Sequence, residues 1–140
     1  MSTVSRASAH WEGDLFNGSG RASLDTSGTA TFETSWKART EAAGGTTNPE
    51  DLLGAALASC YLMQLSNGLA EDGHPADTLD AHAAVTFDPD KGGITGITLT
   101  VSGEVPGLGN EELRDKARWA KDTCPVSNAL KSVPKEIRFE

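Results

Sequence analysis

The sequence predicts an α+β fold, and three observations support that prediction. Turn residues divide the first 38 positions into short segments that suit strands. A long apolar segment with strong helix-start signals follows from residue 48. The second half then alternates between strand patterns and helix patterns, with no internal repeat. A chain of 140 residues suits one hydrophobic core, so we expect a single domain over residues 1–140.

The opening third predicts a small antiparallel meander of three strands. Residues 3–11 form the first, and residues 21–25 return after the turn at Asn17-Gly18-Ser19-Gly20. After a turn at Thr26-Ser27-Gly28, residues 29–38 alternate in the way that is typical of a half-buried strand. One parity of that third strand carries Phe32, Thr34, Trp36 and Ala38.

A long helix should begin at Asn48, which is a good N-cap residue. Pro49 suits the first helical position, and the carboxylates of Glu50 and Asp51 complement the positive end of the helix. The helix should end near Ala70, ahead of a glycine and a proline.

The middle of this helix is apolar on nearly every face between Leu52 and Leu65. A helix of that kind is buried all round, in a large core or at an oligomer interface. Because a small chain cannot easily surround it alone, the pattern predicts a partner subunit, most simply a twofold copy.

The second half supplies the remaining elements of the predicted fold. Alternating apolar residues and turn signals predict strands at 78–87 and 94–105, a helix from 110 to about 123, a short helix at 126–131, and a closing strand with Ile137 and Phe139.

Composition excludes several classes of function. The net charge is −8 and the acidic residues are scattered, which argues against a nucleic-acid partner. The longest apolar run, residues 52–65, is short for a membrane span, and the first residues do not resemble a signal peptide. We therefore expect a cytoplasmic protein that does not interact with membranes.

The two cysteines are the candidate nucleophiles. In a reducing cytosol a structural disulfide is not expected, although two inert, buried thiols remain an alternative. The sequence has no CxxC pair and its three histidines are far apart, so we expect no metal site and no cofactor.

Local electrostatics alone would make Cys124 the more reactive thiol. Cys124 directly precedes Pro125 at a predicted helix start, where backbone N–H groups favour an anion. Cys60 lies about three turns inside the long helix, beyond the reach of its dipole, and so needs a cation from elsewhere.

The segments that carry these features resemble the OsmC/Ohr family, the osmotically inducible and organic hydroperoxide resistance proteins. The resemblance rests on Asn48-Pro49-Glu50-Asp51-Leu52-Leu53-Gly54-Ala55-Ala56 running to Ser59-Cys60, and on Cys124-Pro125-Val126-Ser127-Asn128-Ala129-Leu130. His10-Trp11-Glu12-Gly13-Asp14 is similar to the OsmC branch in particular. The resemblance covers essentially the whole chain.

The resemblance implies a fold and a set of site residues. The fold would be an intertwined homodimer with antiparallel sheets around a long buried central helix. Cys60 would be the peroxidatic thiol and Cys124 the resolving thiol, which reverses the local ranking. Arg39 would supply the cation, with Arg21 as its rival, and Glu50 would hold the arginine.

Spacing adds a hypothesis about the dimer. Glu50 and Cys60 are ten positions apart, roughly 15 Å along one helix. If both belong to one active site, Glu50 should come from the other subunit, through antiparallel packing of the two central helices.

The implied activity is that of a thiol-dependent peroxidase in defence against oxidative and osmotic stress. It would reduce organic hydroperoxides, with hydrogen peroxide as a further substrate, and would be restored by an external dithiol such as a lipoylated protein. Leu57, Tyr61 and Met63 could admit the substrate or could be core. Two alternatives stay open: a dimeric module that binds a small hydrophobic ligand, and an inactive family member whose thiols are structural.

Overall fold

The computed structural model describes residues 1–41 and 44–140. The backbone forms two compact units, residues 1–52 and residues 53–140, and each contains one three-stranded sheet. The α+β class is confirmed. That the two units form one domain remains a prediction.

The first unit contains the predicted antiparallel meander. Strands β1 (Ala7–Glu12), β2 (Ser19–Leu24) and β3 (Thr31–Thr34) pair in sequence order, with β2 in the centre. The turn between β2 and β3 includes Gly28, whose φ of 65° is a conformation that favours glycine.

The predicted third strand is wrong beyond Thr34. Instead of continuing to residue 38, the chain forms a short helix, α1 (Trp36–Thr40). The Ser35 side chain accepts a hydrogen bond of 3.1 Å from the backbone N–H of Ala38 and caps this helix. Local capping thus outweighs the alternating pattern, and it places Arg39 on a helix rather than on a strand.

Helix α2 (Pro49–Glu71) confirms the predicted long helix. Its start is capped as expected, because the Asn48 Oδ1 atom accepts a hydrogen bond of 2.8 Å from the backbone N–H of Asp51. The helix begins in the first unit and runs through the second. It ends just before Gly73, which has a φ of 84°.

Helix α2 is buried on only part of its surface within the single chain, and the partner subunit that the sequence predicts to cover the rest remains a prediction. Leu57, Tyr61 and Leu65 are fully buried, but Met63 is 73% exposed. Helix α2 has 23 residues and a mean hydropathy of 1.2 over an 18-residue window. By length and composition alone, it is therefore long and apolar enough to cross a membrane. A core helix matches the same measure, and the buried side chains of α2 pack in the core of the second unit.

The sheet of the second unit carries that core. Strands β4 (Thr78–Asp88) and β5 (Gly93–Glu104) are antiparallel, and Ile97, Leu99 and Val101 of β5 are buried, as their spacing predicts. Strand β6 (Lys135–Phe139) lies parallel to β5 on its other side. The parallel pairing follows from the helices that connect β5 to β6, since such a crossover returns the chain in the same direction.

Two further helices complete the second unit. Helix α3 (Asn110–Thr123) and the short helix α4 (Pro125–Ala129) follow β5, close to the predicted bounds. The Tyr61 hydroxyl of α2 donates a hydrogen bond of 3.1 Å to the carbonyl oxygen of Ala117 in α3. This buried bond fixes α3 against the central helix.

Close packing between α2 and α3 gives a test of the core. A Cβ atom at Gly68 would overlap ring atoms of Trp119. Gly68→Ala should therefore lower the free energy of unfolding by about 1–3 kcal/mol in urea, although alanine favours helix. Gly93→Ala is the control, because a Cβ atom there meets nothing within 4 Å. Equal stability of the two variants would contradict this packing.

Candidate active site

The two thiols are in direct contact in the second unit. Cys60 lies in α2 and Cys124 lies between α3 and α4, 64 positions later, yet the two Sγ atoms are 3.0 Å apart. The Cys124 thiol donates to the Cys60 sulfur, and both residues are free cysteines. The structure therefore brings together the two residues that the sequence predicts to react with each other.

Pro125 explains why the chain turns at Cys124. A residue before proline is disfavoured in the helical conformation, and Cys124 is extended, with φ −63° and ψ 129°. Its backbone N–H still donates to the carbonyl oxygen of Ala120, so α3 ends at Thr123 and α4 begins at Pro125. The break between the two helices thus positions the second thiol.

The two thiols differ in exposure. Cys60 is half-buried, whereas Cys124 is fully buried and belongs to the core. Burial raises the pKa of the Cys124 thiol above the usual value for cysteine, and the hydrogen bond to Cys60 raises it further. The backbone N–H groups of Ser127 and Val126 act in the opposite direction but do not offset burial.

The local argument that favoured Cys124 as the more reactive thiol is therefore incomplete. It considered the helix start and omitted desolvation, which is the larger effect here. Cys124 is kept as a protonated thiol that donates to Cys60, and the half-buried Cys60 is the sulfur that solvent can reach.

A hydrogen bond that no sequence pattern predicts joins α2 to the end of α3 beside the two thiols. The Gln64 side chain, one turn after Cys60, donates a bond of 2.9 Å to the Thr123 hydroxyl, next to Cys124. Thr123 in turn donates to the carbonyl oxygen of Trp119. Only the fold brings α2 and the end of α3 together, so no local pattern could predict this contact.

The apolar neighbours of Cys60 are divided between core and surface. Leu57 and Tyr61 are fully buried, so they are core residues. Burial raises the pKa of the Tyr61 hydroxyl far above its usual value, and this hydroxyl stays a donor to Ala117. Met63 is largely exposed.

The first unit contains the predicted arginine and glutamate as an ion pair. Arg39 of α1 donates from Nη2 to the Glu50 Oε1 atom at 2.7 Å and from Nε at 3.0 Å. The Glu50 side chain is only 7% exposed and that of Arg39 is 30% exposed. The Asn48 side chain donates a 2.7 Å bond to the carbonyl oxygen of Ala38, which holds α1 to the start of α2. This bond fixes the position of Arg39 relative to Glu50.

Arg21, the rival arginine, is on the surface of the meander. It is exposed in β2, where its cross-strand neighbours are His10 and Glu33. Glu50 pairs with Arg39, and the structure does not bring it together with Arg21. Within residues 1–41 and 44–140, no group of three or more His, Cys, Asp or Glu residues is arranged to hold a metal ion.

Comparisons with known proteins identify the family of this chain. A family model described as OsmC-like protein matches residues 42–138, which is more than half of the chain. The chain is also 37% identical over 134 residues to the peroxiredoxin OsmC of Escherichia coli (strain K12), covering 94% of this chain and 93% of that protein. This chain belongs to the OsmC-like family. The resemblance seen in the sequence is thereby confirmed.

Solved structures of OsmC and Ohr proteins have the same fold. The organic hydroperoxide resistance protein OhrB of Bacillus subtilis matches with a TM-score of 0.71 and 25% identity, covering 96% of this chain and 98% of that one. An organic hydroperoxide resistance protein from Elizabethkingia anophelis matches with a TM-score of 0.76 and 24% identity, covering 100% of this chain and 99% of that one. At 24% identity, the match to the Elizabethkingia anophelis protein shows a shared fold and nothing more.

Burial of Cys124 predicts the pH dependence of its reactivity. In Cys60→Ser, the rate of Cys124 alkylation by iodoacetamide should rise only at a pH above about 8.5, the ordinary pKa of a cysteine thiol. Burial disfavours the thiolate and raises the pKa of Cys124, so a higher pH is needed to form the thiolate. The same variant unfolded in urea is the control, and the midpoint of its alkylation rate against pH should lie at the ordinary pKa of a cysteine thiol. A folded midpoint below the unfolded one would contradict the burial argument.

Proposed function

We propose that this protein is a thiol-dependent peroxidase that reduces organic hydroperoxides, with hydrogen peroxide as a further substrate, in defence against oxidative and osmotic stress. The observation that carries the proposal is the 3.0 Å contact between the half-buried Cys60 and the buried Cys124. A pair of inert core thiols has no need of this arrangement, whereas a peroxidase that forms a disulfide within one chain requires it. The names of the relatives, a peroxiredoxin and hydroperoxide resistance proteins, support the same activity.

The proposed reaction begins at Cys60. Its thiolate attacks one oxygen of the peroxide, the O–O bond breaks, and the other oxygen leaves as an alcohol after it takes up a proton. Cys60 is thereby oxidised to a sulfenic acid. The Cys124 sulfur then attacks the Cys60 sulfur, the sulfenic oxygen leaves as water, and a Cys60–Cys124 disulfide forms. The observed contact lets this second step proceed without a large movement of either helix.

An external dithiol then restores the enzyme. One of its thiolates attacks the disulfide, and its second thiol completes the exchange, so that the dithiol is oxidised and both cysteines are reduced. A lipoylated protein is the partner that we propose, and the cytoplasm is the compartment in which such a dithiol stays reduced. No metal, haem or flavin takes part in these steps.

Arg39 is the residue that we propose to favour the Cys60 thiolate. A reactive thiolate needs a nearby positive charge, and a cysteine inside a helix receives none from the helix start. Arg39 has that charge. The Glu50 carboxylate fixes the orientation of the guanidinium group by accepting hydrogen bonds from its Nε and Nη2 atoms. Glu50 is thus a positioning residue, and its carboxylate acts on the sulfur only through the arginine.

The arginine pair and the thiol pair should meet across a homodimer. Glu50 and Cys60 are ten positions apart in one continuous helix, which is roughly 15 Å. Antiparallel packing of two α2 helices would bring the Arg39–Glu50 pair of one subunit to Cys60 of the other. Met63 is 73% exposed on α2, and such packing would remove this apolar side chain from water.

The first test follows the thiols after one equivalent of cumene hydroperoxide. Both thiols should disappear rapidly in the parent protein. Cys124→Ser should accumulate a sulfenic acid that a dimedone probe traps, because the resolving thiol is missing, and Cys60→Ser should consume no peroxide.

Two outcomes would contradict these roles. If Cys60→Ser still consumes peroxide while Cys124→Ser does not, then Cys124 is the attacking residue. If none of the three proteins loses thiol, the protein is not a peroxidase, and the ligand-binding and inactive alternatives gain support.

The role of Arg39 is tested by comparing it with Arg21. Arg39→Gln should slow the reaction of Cys60 with peroxide about tenfold or more, because it removes the charge that favours the thiolate. Arg39→Lys keeps the charge but loses the two-nitrogen contact with Glu50, so its rate should fall in between. Arg21→Gln is the matched control and should react like the parent, with circular dichroism as the check on folding. A greater loss of reaction rate in Arg21→Gln than in Arg39→Gln would assign the role to Arg21.

The dimer is tested by placing a charge on the exposed surface of α2. Met63→Glu should dissociate the dimer in analytical ultracentrifugation and abolish peroxidase activity, because each site would lose the arginine from the other subunit. Thr86→Glu adds the same charge at an exposed position of β4 and should remain dimeric and active. A monomeric Met63→Glu protein with full activity would disprove the shared site.

A further inference from the structure

A pocket lined by three lysines lies beside α4. It has a volume of about 250 Å³, and its lining includes Lys121, Lys131, Lys135, Ser127 and Asn128. The side chains come from the end of α3, from α4, from the turn after it and from β6. We call this the lysine pocket. It belongs entirely to the second unit.

The charge of the lysine pocket is opposite to that of the protein. The chain as a whole carries −8, but the pocket has three lysines and only one acidic residue, Asp122. Asp122 pairs with Lys121 at 3.0 Å, and its own side chain is 69% exposed. Lys131 has no ion-pair partner in the part of the chain that the structure describes. One carboxylate thus faces three ammonium groups, and the pocket keeps a net positive charge.

Lys135 is held in place at the pocket wall. Its ammonium group donates to the carbonyl oxygens of Leu130 at 2.6 Å and Val133 at 3.2 Å. An ammonium group has three N–H donors, so two carbonyls leave one for a ligand. Burial and the charge of Lys121 both lower the pKa of Lys135. An anion between the two lysines would relieve their repulsion.

The lysine pocket adjoins the buried thiol. The carbonyl oxygen of Cys124 accepts a hydrogen bond of 3.0 Å from the backbone N–H of Asn128, and both Asn128 and the buried Ser127 line the pocket. A negative charge on Cys124 would raise the pKa of Lys135, so the two groups are within electrostatic range. A ligand in the pocket would thus lie close behind Cys124.

We propose that the lysine pocket binds a small oxyanion, either a carboxylate or a phosphate, next to the resolving thiol. The ammonium groups of the three lysines and the polar groups of Ser127 and Asn128 suit the oxygens of such an anion. This site goes beyond the proposed peroxidase activity and does not depend on it.

The test is an NMR titration of the reduced, full-length protein, in the absence of peroxide. Inorganic phosphate and succinate are each added against sodium chloride of the same ionic strength, and the amide signals of Ser127, Asn128 and Lys131 are followed. Saturable shifts with either oxyanion support the site. Phosphate alone assigns a phosphate ligand, succinate alone a carboxylate, and shifts no larger than those with sodium chloride overturn the proposal.

Variants show whether the lysines are responsible. Lys135→Gln and Lys131→Gln should each weaken binding about tenfold or more, since each removes a charge-assisted hydrogen bond. Among the described residues the Lys131 ammonium group donates no hydrogen bond to a backbone carbonyl, so the Lys131→Gln variant stays informative if Lys135→Gln is unstable. Lys91→Gln is the control, because Lys91 is an exposed lysine outside the pocket. Equal loss of binding in Lys91→Gln, or none in Lys131→Gln and Lys135→Gln, would overturn the proposal.

Discussion

The contact between Cys60 and Cys124 is the constraint on which the proposed chemistry depends. It exists because Pro125 interrupts the chain between α3 and α4, and because the hydrogen bonds of Gln64 and Tyr61 fasten α3 to the central helix. Core packing and reactivity are coupled here, since Cys124 belongs to the hydrophobic core of the second unit. The burial that keeps Cys124 protonated leaves the half-buried Cys60 as the sulfur for a peroxide to meet.

The Arg39–Glu50 pair is the second element of the proposed chemistry. Taking the Glu50 carboxylate out of water is unfavourable unless a partner compensates, and the two-nitrogen contact with Arg39 does so. Because the Asn48 side chain holds α1 to the start of α2, the pair is oriented before any substrate binds. A preoriented guanidinium suits the stabilisation of a thiolate, because little reorganisation is then needed during the reaction.

Local signals in the sequence predicted the helices and most of the strands, and tertiary contacts explain the differences. Asn48 and Pro49 gave the start of α2, and the spacing of Ile97, Leu99 and Val101 gave the buried face of β5. The alternating pattern through Trp36 and Ala38 predicted a strand where the structure has helix α1, because the Ser35 cap favours a helix there. The burial of Cys124, which raises its pKa, depends on residues far away in sequence, so the local argument could not include it. The family resemblance named Arg39 and Glu50, and geometry joins them in a pair.

Disulfide mapping tests the central claim most directly. The reduced protein is treated with one equivalent of cumene hydroperoxide, remaining thiols are blocked, and the peptides are identified by mass spectrometry without reduction. We expect a peptide pair that joins Cys60 to Cys124 of the same chain, in nearly stoichiometric yield, and a parent mass lower by two hydrogens. A Cys60 sulfinic or sulfonic acid with Cys124 still free, or a disulfide between subunits, would contradict the account.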